Sequence, residues 1–274
     1  MLAEEILEKL KILPVESLKI HEQTIDANFR ALRETMLNLG RIVDPIIVDS
    51  KYSVVLDGNH RRQVLEDLKC ENAVCQIVDY ADPGIQVKGW YLAVPEAGVN
   101  SKYSLGGEKV DREAGMNALE RMDASLLLVE KKNGKEECAL FSSPEKDLGA
   151  VLEAQIKILG KIPCKWPTET NGNGGCVAYV EDVRAPLFLE KGYSVFFRRP
   201  YKKEEVVREA AAGRPLPPKS TRHIIPNRII RLNFHLGYLN EPPETAWRLL
   251  SDIVQKRVKY GAARYYTEPV IVMY

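Results

Sequence analysis

The chain has little cysteine, little histidine, no surplus of one charge and no long apolar run, and each shortage closes off a class of protein. Its five cysteines among 274 residues (Cys70, Cys75, Cys138, Cys164 and Cys176) are odd in number and scattered, which excludes a disulfide scaffold. Cys70 and Cys75 are the one close pair, and no second Cys or His pair completes a zinc site, so the cysteines read as reduced packing residues. Lys and Arg number 39 against 38 Asp and Glu, so no overall field draws the chain to nucleic acid or membrane. No run of 18 apolar residues exists, and the start MLAEEILEKLKILP is acidic where a signal peptide is basic. The expected compartment is therefore the cytosol.

What is present fits an ordinary folded chain. A length of 274 corresponds to between one and two domains at about 150 residues each. The 45% hydrophobic and 28% charged content allows a sizeable core. Charge is unevenly spread: residues 1–190 hold 23 basic and 31 acidic side chains (net −8), and residues 191–274 hold 16 and 7 (net +9). That asymmetry suits either a basic partner surface or an anionic ligand held from the C-terminal part.

Periodicity divides the chain near Pro83-Gly84. Residues 2–12 carry Leu2, Ile6, Leu7 and Leu10 at helical spacing, which predicts a helix ended by Pro14, followed by a short strand at Val15–Ile20. Phe29, Leu32, Met36 and Leu37 predict a helix over Asp26–Leu39, with Gly40 as its C-cap. Two β-branched runs, Pro45–Asp49 and Ser53–Asp57, predict paired strands. Gly58-Asn59 then turns the chain into an amphipathic helix over residues 60–69, and Ala73–Tyr80 closes the unit as a strand. A second α/β module should follow, with strands near Val87–Val94, Ser125–Val129, Ala139–Phe141, Val177–Val180 and Tyr193–Phe197. Helices are expected near 112–122, 145–159, 182–190 and 203–212. The glycine stretch at 171–175 lacks the order of a P-loop and reads as a hairpin connection before a phosphate cradle. Residues 214–226 contain four prolines and should run extended, and the tail from Asn227 should add a strand (Arg228–Phe234) and a helix (Glu244–Lys256).

Three of the four histidines lie in polar clusters, His21, His60 and His223, which suggests one composite site. Asp57-Gly58-Asn59-His60-Arg61 ends a strand and opens a helix. Backbone N–H groups, the positive helix end, His60 and Arg61 can there converge on one anion, the geometry a phosphate prefers. Asp57 would hold Mg²⁺ through water or orient His60. The bland alternative is a capped turn with Arg61 solvated. Lys219-Ser220-Thr221-Arg222-His223, bracketed by prolines, supplies cations and hydroxyls. In an extended segment Ser220 and Arg222 would face one way and Lys219, Thr221 and His223 the other, so one face could grip a carboxylate or phosphate. A solvated basic loop or a nucleic-acid loop would have the same composition. Glu22 stands at a strand end, either solvated or, beside a cation, able to act as a general base. Trp90-Tyr91 suit a core strand, or an indole edge walling a small-substrate pocket.

Taken together these segments resemble the ParB/sulfiredoxin-like fold, and within it the free L-serine kinases, whose archaeal members use ADP. Four motifs carry the resemblance over roughly residues 14–226: Ile20-His21-Glu22-Gln23, Asp57-Gly58-Asn59-His60-Arg61, Trp90-Tyr91 and Pro218-Lys219-Ser220-Thr221-Arg222-His223. It implies an α+β protein with a ParB/sulfiredoxin-like nucleotide-binding domain at 1–84 and a second α/β domain at 85–274, and an active site in the cleft between them. It implies transfer of a phosphoryl group from ADP or ATP, with Mg²⁺, to the hydroxyl of free L-serine, feeding cysteine or serine metabolism. Glu22 would be the base. Gly58, Asn59, His60 and Arg61 would hold the transferring phosphate, Asp57 would be a second acidic catalytic or Mg²⁺-organising group, and Trp90, Ser220, Thr221, Arg222 and His223 would line the serine pocket. Many relatives have His where this chain has Asn59, which donates a hydrogen bond but carries no charge. The tail beyond about residue 227 is longer than the family suggests, and is expected to be an oligomer contact or a cover on the second domain.

The same superfamily supplies the competing readings. Sulfiredoxin chemistry needs a reactive cysteine in the corner, and none lies between Met1 and Lys69. A DNA- and CTP-binding partition protein needs a helix-turn-helix domain after the corner, and none is evident. A nucleotide- or nucleic-acid-binding regulator without kinase activity remains the alternative, supported by the C-terminal charge of +9.

Overall fold

The computed structural model describes residues 3–95, 106–162 and 178–267. The glycine stretch at 171–175, Cys164 and Cys176 lie outside the described residues. The chain divides into two compact units, one of residues 1–85, 207–215 and 225–274, the other of residues 86–206 and 216–224. No helix among the described residues is long and apolar enough to cross a membrane.

The first unit opens with α1 (Ala3–Leu7) and β1 (Leu10–Pro14). The helical spacing over residues 2–12 thus yields only five helical residues, followed by a turn at 8–9 and the start of the strand at Leu10. A helix so short is marginal by itself. The antiparallel ladder from Leu10↔Gln76 to Pro14↔Asn72, with Leu10 fully buried, satisfies the backbone instead. A 3-10 turn (Val15–Ser17) and β2 (Lys19–Ile20) replace the expected strand at 15–20. Then come α2 (Asp26–Leu39), β3 (Arg41–Ile42), β4 (Ile46–Asp49), β5 (Val54–Asp57), α3 (Asn59–Asp67) and β6 (Asn72–Val78). Gly40 caps α2 in the left-handed region at φ +63°. The sheet order is β1-β6-β4-β5-β2, with β6–β4 and β5–β2 parallel and the other pairs antiparallel.

The second unit holds β7 (Gln86–Lys88), β8 (Trp90–Pro95), β9 (Glu108–Val110), α4 (Arg112–Glu120), β10 (Ala124–Lys132), β11 (Lys135–Ser142), α5 (Leu148–Leu159), β12 (Ala178–Glu181), α6 (Ala185–Glu190) and β13 (Tyr193–Phe197). After α7 (Lys203–Ala211) the extended stretch returns as β14 (Arg222–Ile224). The strand expected over Val87–Val94 is therefore two. β7 pairs with β14, and β8 joins an antiparallel sheet of order β12-β8-β13-β10-β11-β9. Successive residues of β10 face opposite sides: Leu127 and Val129 pack with Ala118, Leu119, Ala185 and Leu189, while Leu126 and Leu128 pack with Ile158 and Phe196. Helices cover both faces, which is why the strand reads as an unbroken apolar run.

The C-terminal segment differs most from expectation. Leu232, Phe234, Leu239, Leu250 and Val254 share one core with Leu10, Ile42 and Val74, so the tail belongs to the first unit and does not extend the second domain to 274. Phe234 has no exposed surface, and burying such a ring contributes about 2–3 kcal/mol. The strand expected at Arg228–Phe234 shrinks to β15 (Phe234–His235), paired with β3, because Asn227, Arg231 and Asn233 all take positive φ. α8 (Pro243–Lys259) follows.

Candidate active site

The corner between β5 and α3 is built around one glycine. Gly58 sits at φ +105°, and a Cβ there would lie 2.9 Å from Arg61 Nε and 3.0 Å from Arg61 Nη2. Only glycine gives both the turn and the space. The closeness places the Arg61 guanidinium over the corner, where Nη2 donates to Asp57 Oδ2 at 2.8 Å and Nη1 lies 3.5 Å from Asp44 Oδ2. Gly58 offers α3 no side-chain cap, and the first turn of the helix contains no acid but does contain His60, Arg61 and Arg62. Basic groups at the positive end of a helix oppose its dipole, and here carboxylates face them: Asp57 and Asp44 at Arg61, and Glu66 at Arg62.

The residues carrying Glu22 are tied to this corner on both sides. His21 is buried, and its Nδ1 donates to the Val55 carbonyl oxygen of β5, with the Asn59 amide nitrogen 3.2 Å from the same ring atom. On the other side Ile25 N–H donates to His60 Nε2 at 3.0 Å. With Nε2 accepting, the His60 proton resides on Nδ1. Burial pushes the His21 imidazole below its ordinary 6.5, against the opposing pull of Glu22, the Val55 carbonyl and Asp57. Half-buried Glu22 therefore stands between two anchors, His21 held to β5 at Val55 and Ile25 held to α3 at His60. Sequence periodicity placed Glu22 and Asp57 to Arg61 on separate strand ends; the parallel pairing Ile20↔Val55 is what joins them.

A second cluster is assembled inside the other unit. Trp90 begins β8, and Lys219 Nζ and the Arg222 guanidinium lie 5.4 and 5.8 Å from its ring centroid. Arg222 Nη2 also reaches Glu181 Oε1 at 3.2 Å. Ser220 and Thr221 are buried, and His223 stands opposite Val87 in the β14–β7 ladder. The expected alternation of this stretch does not hold, since Lys219 and Arg222 meet the same ring. Lys219 takes φ +57° and β14 begins only at Arg222, so the residues before it do not alternate. Ser220 Oγ is buried with no hydrogen-bond partner among the described residues.

Several organising residues escaped sequence reasoning. Arg198, nearly buried, donates from Nε to the Trp90 carbonyl oxygen at 3.1 Å and from Nη2 to that of Lys219, pinning both motifs together. An arginine directly after the apolar run Tyr193–Phe197 was the available signal. Asp44, Gln76 and Arg228 gave none.

No family profile matches the chain. The ATP-dependent L-serine kinase of Staphylothermus marinus is 30% identical over 227 residues, covering 78% of this chain and 85% of that protein. The chain belongs to the L-serine kinase family. That family transfers a phosphoryl group to an alcohol, and this member is accordingly a phosphotransferase. The ADP-dependent L-serine kinase of Thermococcus kodakarensis is 26% identical to this serine kinase homologue over 227 residues, covering 78% of this chain and 86% of its own. Among solved structures, a free serine kinase in complex with AMP superimposes with a TM-score of 0.63 at 21% identity, over 84% of this chain and 93% of its own. SbnI from Staphylococcus aureus, truncated at its C-terminus, gives 0.70 at 19% identity over 93% and 99%. These likenesses bear out the expected α+β fold.

Proposed function

We propose that this chain phosphorylates the hydroxyl of free L-serine, taking the phosphoryl group from ADP or ATP. The observation that carries the reading is the anchoring of the Glu22 loop on both sides, through His21 to the Val55 carbonyl of β5 and through Ile25 to His60 of α3. A general base must stand within reach of the hydroxyl while the donor's terminal phosphate is held still. Glu22 takes the serine proton as Oγ attacks phosphorus, and the bond from phosphorus to the nucleotide oxygen breaks. The α3 amide N–H groups and Arg61 offset the charge carried by the transferring group. His60, with Nε2 accepting from Ile25 N–H, aligns the corner beside the phosphates. Trp90, Ser220, Thr221, Arg222 and His223 bind serine, whose carboxylate suits Arg222.

Mg²⁺ fits as a partner of the phosphates. Among the described residues no group of three or more His, Cys, Asp or Glu forms a cage for it. The corner supplies a hard oxygen in Asp57, which suits an ion that keeps several waters, and the buried Asn59 Oδ1 has no hydrogen-bond partner among the described residues. When bound, the ion neutralises phosphate charge.

The test is phosphoserine formation with each donor, reading AMP or ADP as coproduct, in wild type and Glu22→Gln. Turnover by wild type and a loss of about 10²–10⁴-fold in the variant is expected. Full turnover in Glu22→Gln removes the base assignment. No transfer by wild type, with salt-sensitive binding to DNA or RNA, replaces the kinase with the regulator.

A further inference from the structure

The C-terminal segment that joins the first unit delivers a charge to the corner. Residues 227–231 form neither helix nor strand, yet their backbone is fixed by side chains of the sheet. Gln76, fully buried in β6, donates from Nε2 to the Asn227 carbonyl oxygen at 3.0 Å and accepts from Ile229 N–H through Oε1 at 2.8 Å. One amide thus grips the backbone on both sides of Arg228. Asp44 Oδ1 accepts from Arg231 N–H at 2.7 Å, and the Tyr265 hydroxyl donates to Asn227 Oδ1 at 2.7 Å. Held this way, Arg228 extends its guanidinium to Asp57 Oδ2, the oxygen that Arg61 also contacts.

We infer that Arg228 is a positioning residue of the phosphate corner, holding Asp57 jointly with Arg61 so that the corner stays receptive to a nucleotide's phosphates. The inference rests on the kinase reading and deepens it. Four charges decide the matter: Arg61 and Arg228 against Asp44 and Asp57, which balance. Without Arg228, Arg61 alone would face two carboxylates, and the positive end of α3 would sit beside a net negative charge. Arg228 and Asp57 are both more than a third exposed and such pairs add little to stability, so a plain surface ion pair would leave both ADP binding and Tm unchanged when lost, whereas a positioning role shows in binding alone. The segment is already held by Gln76, Asp44 and Tyr265, so the arginine is not required to keep it in place.

The experiment uses the full chain and the variants Arg228→Gln and Arg228→Lys. It measures equilibrium binding of ADP, kcat and KM for nucleotide and for serine, and Tm. Arg228→Gln should raise the Kd and KM for ADP about tenfold and leave the serine KM alone, since removing a unit positive charge from the corner acts mainly on the phosphates. Its Tm should stay within about 2 °C of wild type, and Arg228→Lys should recover most of the binding. Wild-type ADP affinity in Arg228→Gln overturns the inference, as does equal loss in both variants or a loss accompanied by a large fall in Tm. A wild type that binds ADP but never phosphorylates serine overturns the proposed function instead, and leaves the binding comparison readable.

Discussion

Replacing Gly58 by alanine tests the corner most directly. At φ +105° an L-residue is strained by roughly 1–2 kcal/mol. The new Cβ would lie 2.9 Å from Arg61 Nε, so the guanidinium must shift and weaken its 2.8 Å bond to Asp57, an ion pair worth about 0–1 kcal/mol at this exposure. Together these come to about 1–3 kcal/mol, or a fall in Tm of roughly 3–10 °C. Gly134 is the control. It has φ +77° in the β10–β11 turn and nothing within 4 Å of an added Cβ, so Gly134→Ala carries the backbone cost without the collision. Thermal melts and phosphoserine formation should separate the two: both variants lose stability, and only Gly58→Ala loses turnover, by about 10²-fold, as expected when a phosphate-holding group is displaced by about an ångström. Equal turnover in the two alanine variants would refute the claim that Arg61 is held by Gly58 for the phosphates.

Other outcomes follow from single observations. Ser220→Ala removes a buried hydroxyl without a partner, so stability should hold or rise by about 1 kcal/mol while the serine KM rises; a drop in Tm with unchanged KM would show a structural hydroxyl. His21 has its pKa depressed below 6.5 by burial, so the unfolded chain binds the proton more readily. Its contribution is complete above about pH 6.5 and declines on acidification toward the folded pKa. His21→Gln should therefore flatten the fall of Tm between about pH 7 and 5, and an unchanged slope would exclude His21 as its source. Arg198→Met strips donors from the Trp90 and Lys219 carbonyls at a site 7% exposed, and should cost about 2–3 kcal/mol and raise the serine KM, both measurable on the purified protein.

Elements whose signal is local were legible in the chain. α2 appears over Asp26–Leu39 with Gly40 as cap, and β13 over Tyr193–Phe197, because side-chain period and cap chemistry are written within a dozen residues. The β5–α3 corner was legible for the same reason. Residues 2–12 were not: their apolar spacing suits a helix, and a ladder to residues 72–76, some sixty positions away, makes a strand from Leu10 onward. The segment 227–234 was misread because three positive-φ residues turn it where β-branched composition suggested a strand.

Taken alone, the order of residues determined which chemical groups this kinase relative possesses and which turns bear them: the glycine corner, the acidic loop before α2, and the lysine-to-histidine stretch between prolines. Tertiary structure decided their company. Whether Glu22 is fastened beside α3, whether Arg198 joins Trp90 to Lys219, and whether the C-terminal segment supplies Arg228 to Asp57 all depend on pairings between distant parts of the chain. Such pairings are settled by burial and backbone hydrogen bonding summed over a whole unit, and no short window of sequence contains that sum.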